Sequence, residues 1–102
     1  MATSTIHPTS RAFYYGKVTS SDDLNNLTAH NMAINVYSIE GSTPQHAPSA
    51  IGNSAYGQVV FIKNTATTTT QLLFINSSSF WKRYFSNGSW KNWYRFDATE
   101  DN

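Results

Sequence analysis

The stretch Phe80-Trp81-Lys82-Arg83-Tyr84-Phe85-Ser86-Asn87-Gly88-Ser89-Trp90-Lys91-Asn92-Trp93-Tyr94-Arg95-Phe96 decides the fold, because two aromatic runs flank Asn-Gly, the strongest short-range hairpin signature. A type I′ turn needs positive φ at both central residues, which Asn tolerates and Gly88 adopts without steric cost. Such a turn predicts Ser86 opposite Ser89, Phe85 opposite Trp90, Tyr84 opposite Lys91, Arg83 opposite Asn92, Lys82 opposite Trp93, Trp81 opposite Tyr94 and Phe80 opposite Arg95. Strand side chains alternate, so one face collects Trp81, Arg83, Phe85, Trp90, Asn92 and Tyr94, and the other Phe80, Lys82, Tyr84, Lys91, Trp93 and Arg95. The first is the expected core face. The second interleaves aromatics with cations, where a hairpin packed on one side normally turns a polar face to water. A second core, a second subunit or a ligand must meet it.

Upstream, Gln58-Val59-Val60-Phe61-Ile62 and Gln71-Leu72-Leu73-Phe74-Ile75 are near-continuous apolar runs separated by a polar tract, Asn64 to Thr70. They read as a buried antiparallel pair joined by a long turn. Met32 to Glu40 alternates with a phase slip between Val36 and Tyr37, which predicts a strand with a bulge. Ala12 to Val18 is a short aromatic strand. Between these, Ser20 or Ser21 ahead of Asp22 and Asp23 supplies an N-cap and first-turn acids. Leu24 and Leu27 follow at helical spacing, so one short helix is expected. Gly41 to Ala55 holds two of the three prolines and no periodicity, and loops of that length are usually functional or packed on a partner. The fold class is therefore mostly β, a β-rich α+β domain: a small antiparallel sheet or sandwich with one short N-terminal helix and a C-terminal aromatic hairpin.

The chain has 102 residues, enough for one domain with one modest core. Residues 1–11 read as an extended leader, 12–97 as a single domain and 98–102 as a frayed tail. Charged residues make up 13%, half the usual ~25%, while Ser, Thr and Asn number 35, so the surface is hydroxyl- and amide-rich. A net charge of +1 spread along the chain supplies neither the field that nucleic acid requires nor a polybasic run for an anionic membrane. The longest wholly apolar run, Leu72 to Ile75, is far short of a bilayer span, so no membrane insertion is expected. With no cysteine, disulfides and thiol catalysis are excluded.

Set in order along the chain, these pieces resemble the knob domain of pyocin and bacteriophage tail fibres, over about residues 22–96. Asp23-Leu24-Asn25-Asn26-Leu27 is similar to that family's Asp-Leu-Asn-x-Leu start. Ala47-Pro48-Ser49, then Tyr56-Gly57 before an apolar strand, is similar to its middle. Gln71, Arg83 and Gly88-Ser89-Trp90-x-x-Trp93 resemble its close. This chain departs in having Asn31-Met32 where Gly and Tyr usually follow the opening helix, and Lys91 where Ser often follows the first Trp. The resemblance implies a small antiparallel domain of a homotrimeric fibre, residues 1–11 being the end of its shaft. It also implies a virion location outside the cell, other tail or baseplate proteins as partners, and no enzymatic site.

No catalytic constellation stands out on the residues themselves. His7, His30 and His46 lack metal-site spacing, and Asp22 with Asp23 is better explained by capping than by paired-acid chemistry. The expectation is no enzyme, no catalytic residue, no metal and no cofactor. Sugars stack their C–H faces on Trp and Tyr and bond to Asn, Arg and Lys, so Trp93, Lys82, Lys91 and Arg95 are the candidate ligand surface, with subunit interface and partly covered rim as alternatives. Trp90, Arg83, Gly88, Asp23 and Leu24 are the candidate structural residues; a buried Arg83 would tie strand to loop. The leading expectation is a trimeric phage or phage-tail-like fibre or receptor-binding domain that adheres to a bacterial surface polysaccharide. The alternatives are a purely structural trimerisation or spacer knob, and a carbohydrate-binding module of a hydrolase.

Overall fold

The computed structural model of this chain describes residues 12–65, 68–76 and 78–101; the leader expected over residues 1–11 lies outside them. Seven strands form one mixed sheet: β1 (Ala12–Val18), β2 (Ala33–Glu40), β3 (Tyr56–Thr65), β4 (Thr68–Ile75), β5 (Ser79–Ser86), β6 (Ser89–Trp90) and β7 (Tyr94–Asp97). They run in the order β1-β2-β3-β4-β5-β6, with β7 also beside β5. The domain is thus mostly β. Every pairing is antiparallel except β1 with β2, which is parallel. Residues 19–32 between those two strands are long enough for the crossover that a parallel pair requires.

Registered pairs place Tyr37, Val59, Leu73 and Trp81 in one row across the inner face, none more than 8% exposed. Val18, Leu24, Ile39 and Ala55 complete the core. No second sheet covers this face among the described residues, so the sandwich alternative gives way to a sheet roofed by loops. The roof is the single 3₁₀ turn Leu24–Asn26 and the Gly41–Ala55 segment, itself carrying a 3₁₀ turn at Ser49–Ile51. Backbone bonds pin the long loop at its base, Gly41 N–H to Ala55 O at 2.8 Å. They also pin its far end, where Gln45 N–H reaches Asp22 O at 2.8 Å and Leu24 N–H reaches Gln45 O at 3.0 Å. With their backbone groups paired, these irregular segments can sit on the core without leaving donors unsatisfied.

The structure corrects further expectations about these elements. The helix is only one 3₁₀ turn, capped by the Asp23 carboxylate rather than Ser20 or Ser21. Leu27 has already turned extended, so no α-helical ladder propagates. The bulge lies in β1, between Tyr14 and Gly16, and β2 pairs with β3 without interruption from Ala33 to Glu40. The apparent phase slip in β2 arises because Ile34 and Val36 are apolar residues on its outer face. The polar tract after β3 is mostly strand, Lys63 pairing with Thr69 and Thr65 with Thr68. Nor is the β3–β4 pair buried on both sides: Ile62 and Phe74 are 40% and 39% exposed.

The aromatic hairpin turns at Asn87 and Gly88, with φ of 51° and 83°, and pairs Ser86 with Ser89 and Phe85 with Trp90 as expected. Beyond Trp90 the expected register fails. Lys82 pairs with Tyr94, Trp81 with Arg95, Phe80 with Phe96 and Ser79 with Asp97. Between the two paired blocks, Arg83 and Tyr84 on β5 face three residues, Lys91, Asn92 and Trp93, so one extra residue is bulged out. Lys91 N–H still bonds Tyr84 O at 2.9 Å, which places Asn92 and Trp93 together opposite Arg83. A slip of one residue exchanges faces for everything after it. Tyr94 and Phe96 therefore join the outer face, while Trp93 and Arg95 join the inner one. The tail begins with a pinned residue, Ala98 N–H bonding Ser78 O at 3.0 Å.

Candidate functional site

The second row across the inner face is mostly polar: Asn35, Phe61, Gln71 and Arg83 stand side by side on β2 to β5. Asn35 and Gln71 are 0% exposed and Arg83 4%, so their hydrogen bonds determine whether the row is tolerable. Arg83 Nε donates to Gln71 Oε1 at 2.9 Å, and Gln71 Nε2 donates to Leu24 O at 2.7 Å. Asn35 Oδ1 accepts from His30 N–H at 2.8 Å and from Tyr15 Oη at 3.1 Å, while its amide donates to Phe61 O at 3.2 Å. The row fastens the 3₁₀ turn and the residues before β2 to the sheet.

The bulge then closes a clamp on Arg83. Its guanidinium lies 4.2 Å from the ring centre of Trp90 and 4.7 Å from that of Trp93. Indole faces attract a cation most strongly where it is desolvated. Trp93 Nε1 donates to His46 O at 2.8 Å, and His46 Nδ1 lies 2.7 Å from Asp23 Oδ1. His46 takes a left-handed φ of 66°, a conformation that ordinary residues adopt only when contacts hold it. Burial pushes the Arg83 guanidinium down to about 10, the charge of Asp23 acting in the opposite sense. The Asn25 backbone N–H holds the Asp23 carboxyl below its ordinary value, helped by His46 and Arg83 against desolvation. Arg83 thus remains a cation at neutral pH, with the Asp23 carboxylate as its counter-charge. One of its nitrogens, Nη2, is buried without a hydrogen-bond partner.

Asp23, Leu24, Gln71, Arg83, Trp90 and Trp93, six of the residues in the motifs quoted above, converge on one cluster although they lie far apart in sequence. What the cluster does chemically is hold: it joins hairpin, 3₁₀ turn and long loop through charge, stacking and amide bonds.

The four residues expected to form a ligand surface are not brought together. Trp93 is spent on the clamp. Lys82 lies on the outer face, registered between Leu72 and Tyr94. Lys91 Nζ donates to Ser89 Oγ at 3.3 Å near the turn. Arg95 sits 5.6 Å from the Trp81 ring and donates from Nε to Asp97 Oδ1 at 2.8 Å. The Ser79 hydroxyl, which bonds the same carboxylate, and then Arg95 hold Asp97 below its ordinary value. Arg95, Trp81 and Tyr56 line a cleft of about 370 Å³ at that end of the sheet. Trp90, expected to be core, is half-buried, as is Trp93.

Sequence reading passed over Asn35, whose position inside an apolar strand was the available signal, and His46, for which a loop histidine offers none. Among the described residues no group of three or more His, Asp or Glu is placed to hold a metal ion, and no helix is long and apolar enough to cross a membrane. No family model matches this chain, and no curated protein or solved structure matches it either.

Proposed function

We propose that this chain is a module of a phage-type tail fibre or receptor-binding protein, a virion component acting outside the cell, and that it assembles as a homotrimer through the open face of its sheet. The observation that supports this is the composition of that face. Ile34, Ile62, Phe74, Tyr84, Tyr94 and Phe96 are each 37–51% exposed on it. Val36, Val60, Leu72 and Phe80 are half-buried between them. Phe74, Phe80 and Phe96 stack in a file with centroids 5.5 and 4.9 Å apart. A continuous apolar area of this kind is rare on a monomer and marks an interaction surface.

A second copy of the chain is the occupant that suits it. Among the described residues the charged groups on this face are Lys17, Glu40, Lys82 and Lys91, few for so wide a surface, so identical faces meet with little charge to desolvate. Of the aromatics on β1, Phe13 stacks on His30 and Tyr15 on Tyr37, which leaves Tyr14, 68% exposed, to join the interface. The clamp on Arg83 supports an assembly module over an adhesive surface drawn on Trp93. Sedimentation equilibrium tests the reading: a mass three times the 11.4 kDa chain is expected at micromolar concentration. A monomer would overturn it.

A further inference from the structure

Lys82 sits near the middle of the open apolar face, half-buried and registered between Leu72 on β4 and Tyr94 on β7. Among the described residues the ion pairs are His46 with Asp23 and Arg95 with Asp97, so Lys82 has no carboxylate of its own within the chain. Covering the face with another copy would bury its ammonium, which is strongly destabilising unless an acid comes with the cover. The chain offers few acids. Asp22 accepts from the Thr19 N–H, Asp23 belongs to the clamp, Asp97 is taken by Ser79 and Arg95, and Glu100 and Asp101 lie beyond β7. Glu40 remains, and it stands exposed on this same face at the end of β2. Its Oε2 accepts from Ser38 Oγ at 3.0 Å, and Ser38 Oγ accepts in turn from Tyr14 Oη at 3.2 Å. These hydroxyls hold the carboxylate and leave Oε1 for a second donor.

Lys82 is in register with Val36 through Leu72 and Val60, so it stands three strands across the sheet from Glu40, about 14 Å, and four residues along it, about 13 Å. No pair of rotamers closes that gap within one chain. We infer that Lys82 of one subunit pairs with Glu40 of the next, and that this pair sets the register and direction of the trimer. The inference rests on the assembly proposed above and names its polar contact. A contact between two different positions is heterologous, and it closes into a ring where the rotation allows. Around a three-fold axis each face gives its Lys82 to one neighbour and its Glu40 to the other, so no member of the set is left unpaired. Residues that meet across such an axis lie at one height along it. These two do so when the strands incline by about 45° to the axis, close to the tilt of strands wrapped into a barrel. Lys17 stays exposed at the β1 edge and Lys91 is bonded to Ser89, so neither needs this carboxylate as Lys82 does.

Charge reversal in the whole chain tests the pair, read by sedimentation across a dilution series. Lys82→Glu and Glu40→Lys should each move dissociation of the trimer to about tenfold higher concentration or more, because each sets like charges against one another. The double reversal, Glu40→Lys with Lys82→Glu in one chain, should recover most of the loss. Lys63→Glu, the same change of charge on the inner face, should leave the mass as it is. Neither Lys82 nor Glu40 belongs to the core, so far-ultraviolet circular dichroism should be retained throughout. Independently, a water-soluble carbodiimide, which condenses a carboxylate with an amine it touches and releases water, should give covalent trimer whose joined peptides link Glu40 to Lys82. A trimer that resists both single reversals, or a double reversal no better than the worse single one, would overturn the pair and leave the trimeric reading standing. So would cross-links that join other residues only. A wild-type chain that sediments as a monomer would overturn both.

Discussion

Asp23 carries three tasks at once: it caps the 3₁₀ turn through Asn25 N–H at 2.8 Å, holds His46, and faces the Arg83 charge. Its carboxyl is held below the usual range, so the stability it contributes is fully present above the ordinary value near 4 and is lost as pH falls through its folded-state value. Asn caps as well as Asp, so Asp23→Asn removes the charge and spares the cap. The variant should melt below the wild type at pH 7, and thermal scans from pH 7 to pH 2 should show the two curves converging at the acid end. A constant gap would mean that the charge contributes nothing. Gly57 is a different kind of demand, made by space alone. A Cβ there would stand 1.9 Å from the Phe74 carbonyl oxygen, which is backbone and cannot swing aside. Gly57→Ala should cost about 3 kcal/mol or more, measurable by urea denaturation, since overpacking against a fixed group forces the two strands apart.

At the scale of the element, the hairpin shows how one extra residue redirects a surface. The turn signal at Asn87-Gly88 predicts the first two pairs, and nothing local announces that Asn92 and Trp93 share one partner. The bulge is favoured by what it delivers: Trp93 onto Arg83 and its indole N–H onto His46 O. Trp93→Leu keeps the register and an apolar side chain beside Arg83 but removes the indole. The loss of one cation–π contact and one hydrogen bond should lower stability by about 2 kcal/mol. Chemical denaturation gives the magnitude, with far-ultraviolet circular dichroism retained. Unchanged stability would show that the clamp is incidental to the bulge.

For the whole molecule, the unequal treatment of the two sheet faces is the main feature. Loops roof one face, and the other is apolar and open. Ile62 and Phe74, each about two-fifths exposed in the single chain, make useful probes because neither is part of the core. If the chain assembles as proposed, Ile62→Glu combined with Phe74→Glu should convert the trimer to a folded monomer, with the sedimenting mass falling to that of one chain and far-ultraviolet circular dichroism retained. A trimeric mass that survives both substitutions would rule out this face as the contact.

Local sequence determined the strands, because period-two apolar runs and an Asn-Gly turn act over a few residues, and it marked Arg83 as a residue that would need buried partners. It also predicted a second aromatic face on the hairpin. Only the tertiary structure decided what sits beside what. The parallel pairing of β1, the roof of loops in place of a second sheet, and the bulge that moved Trp93 and Arg95 across the sheet all depend on contacts between distant segments. Asp23 and His46, or Gln71 and the Leu24 carbonyl, are brought together by chain closure, and their attraction acts only at hydrogen-bond range. Pairwise terms of that kind have no local sequence period, so the register beyond Trp90 and the clamp on Arg83 could be read only from the folded chain.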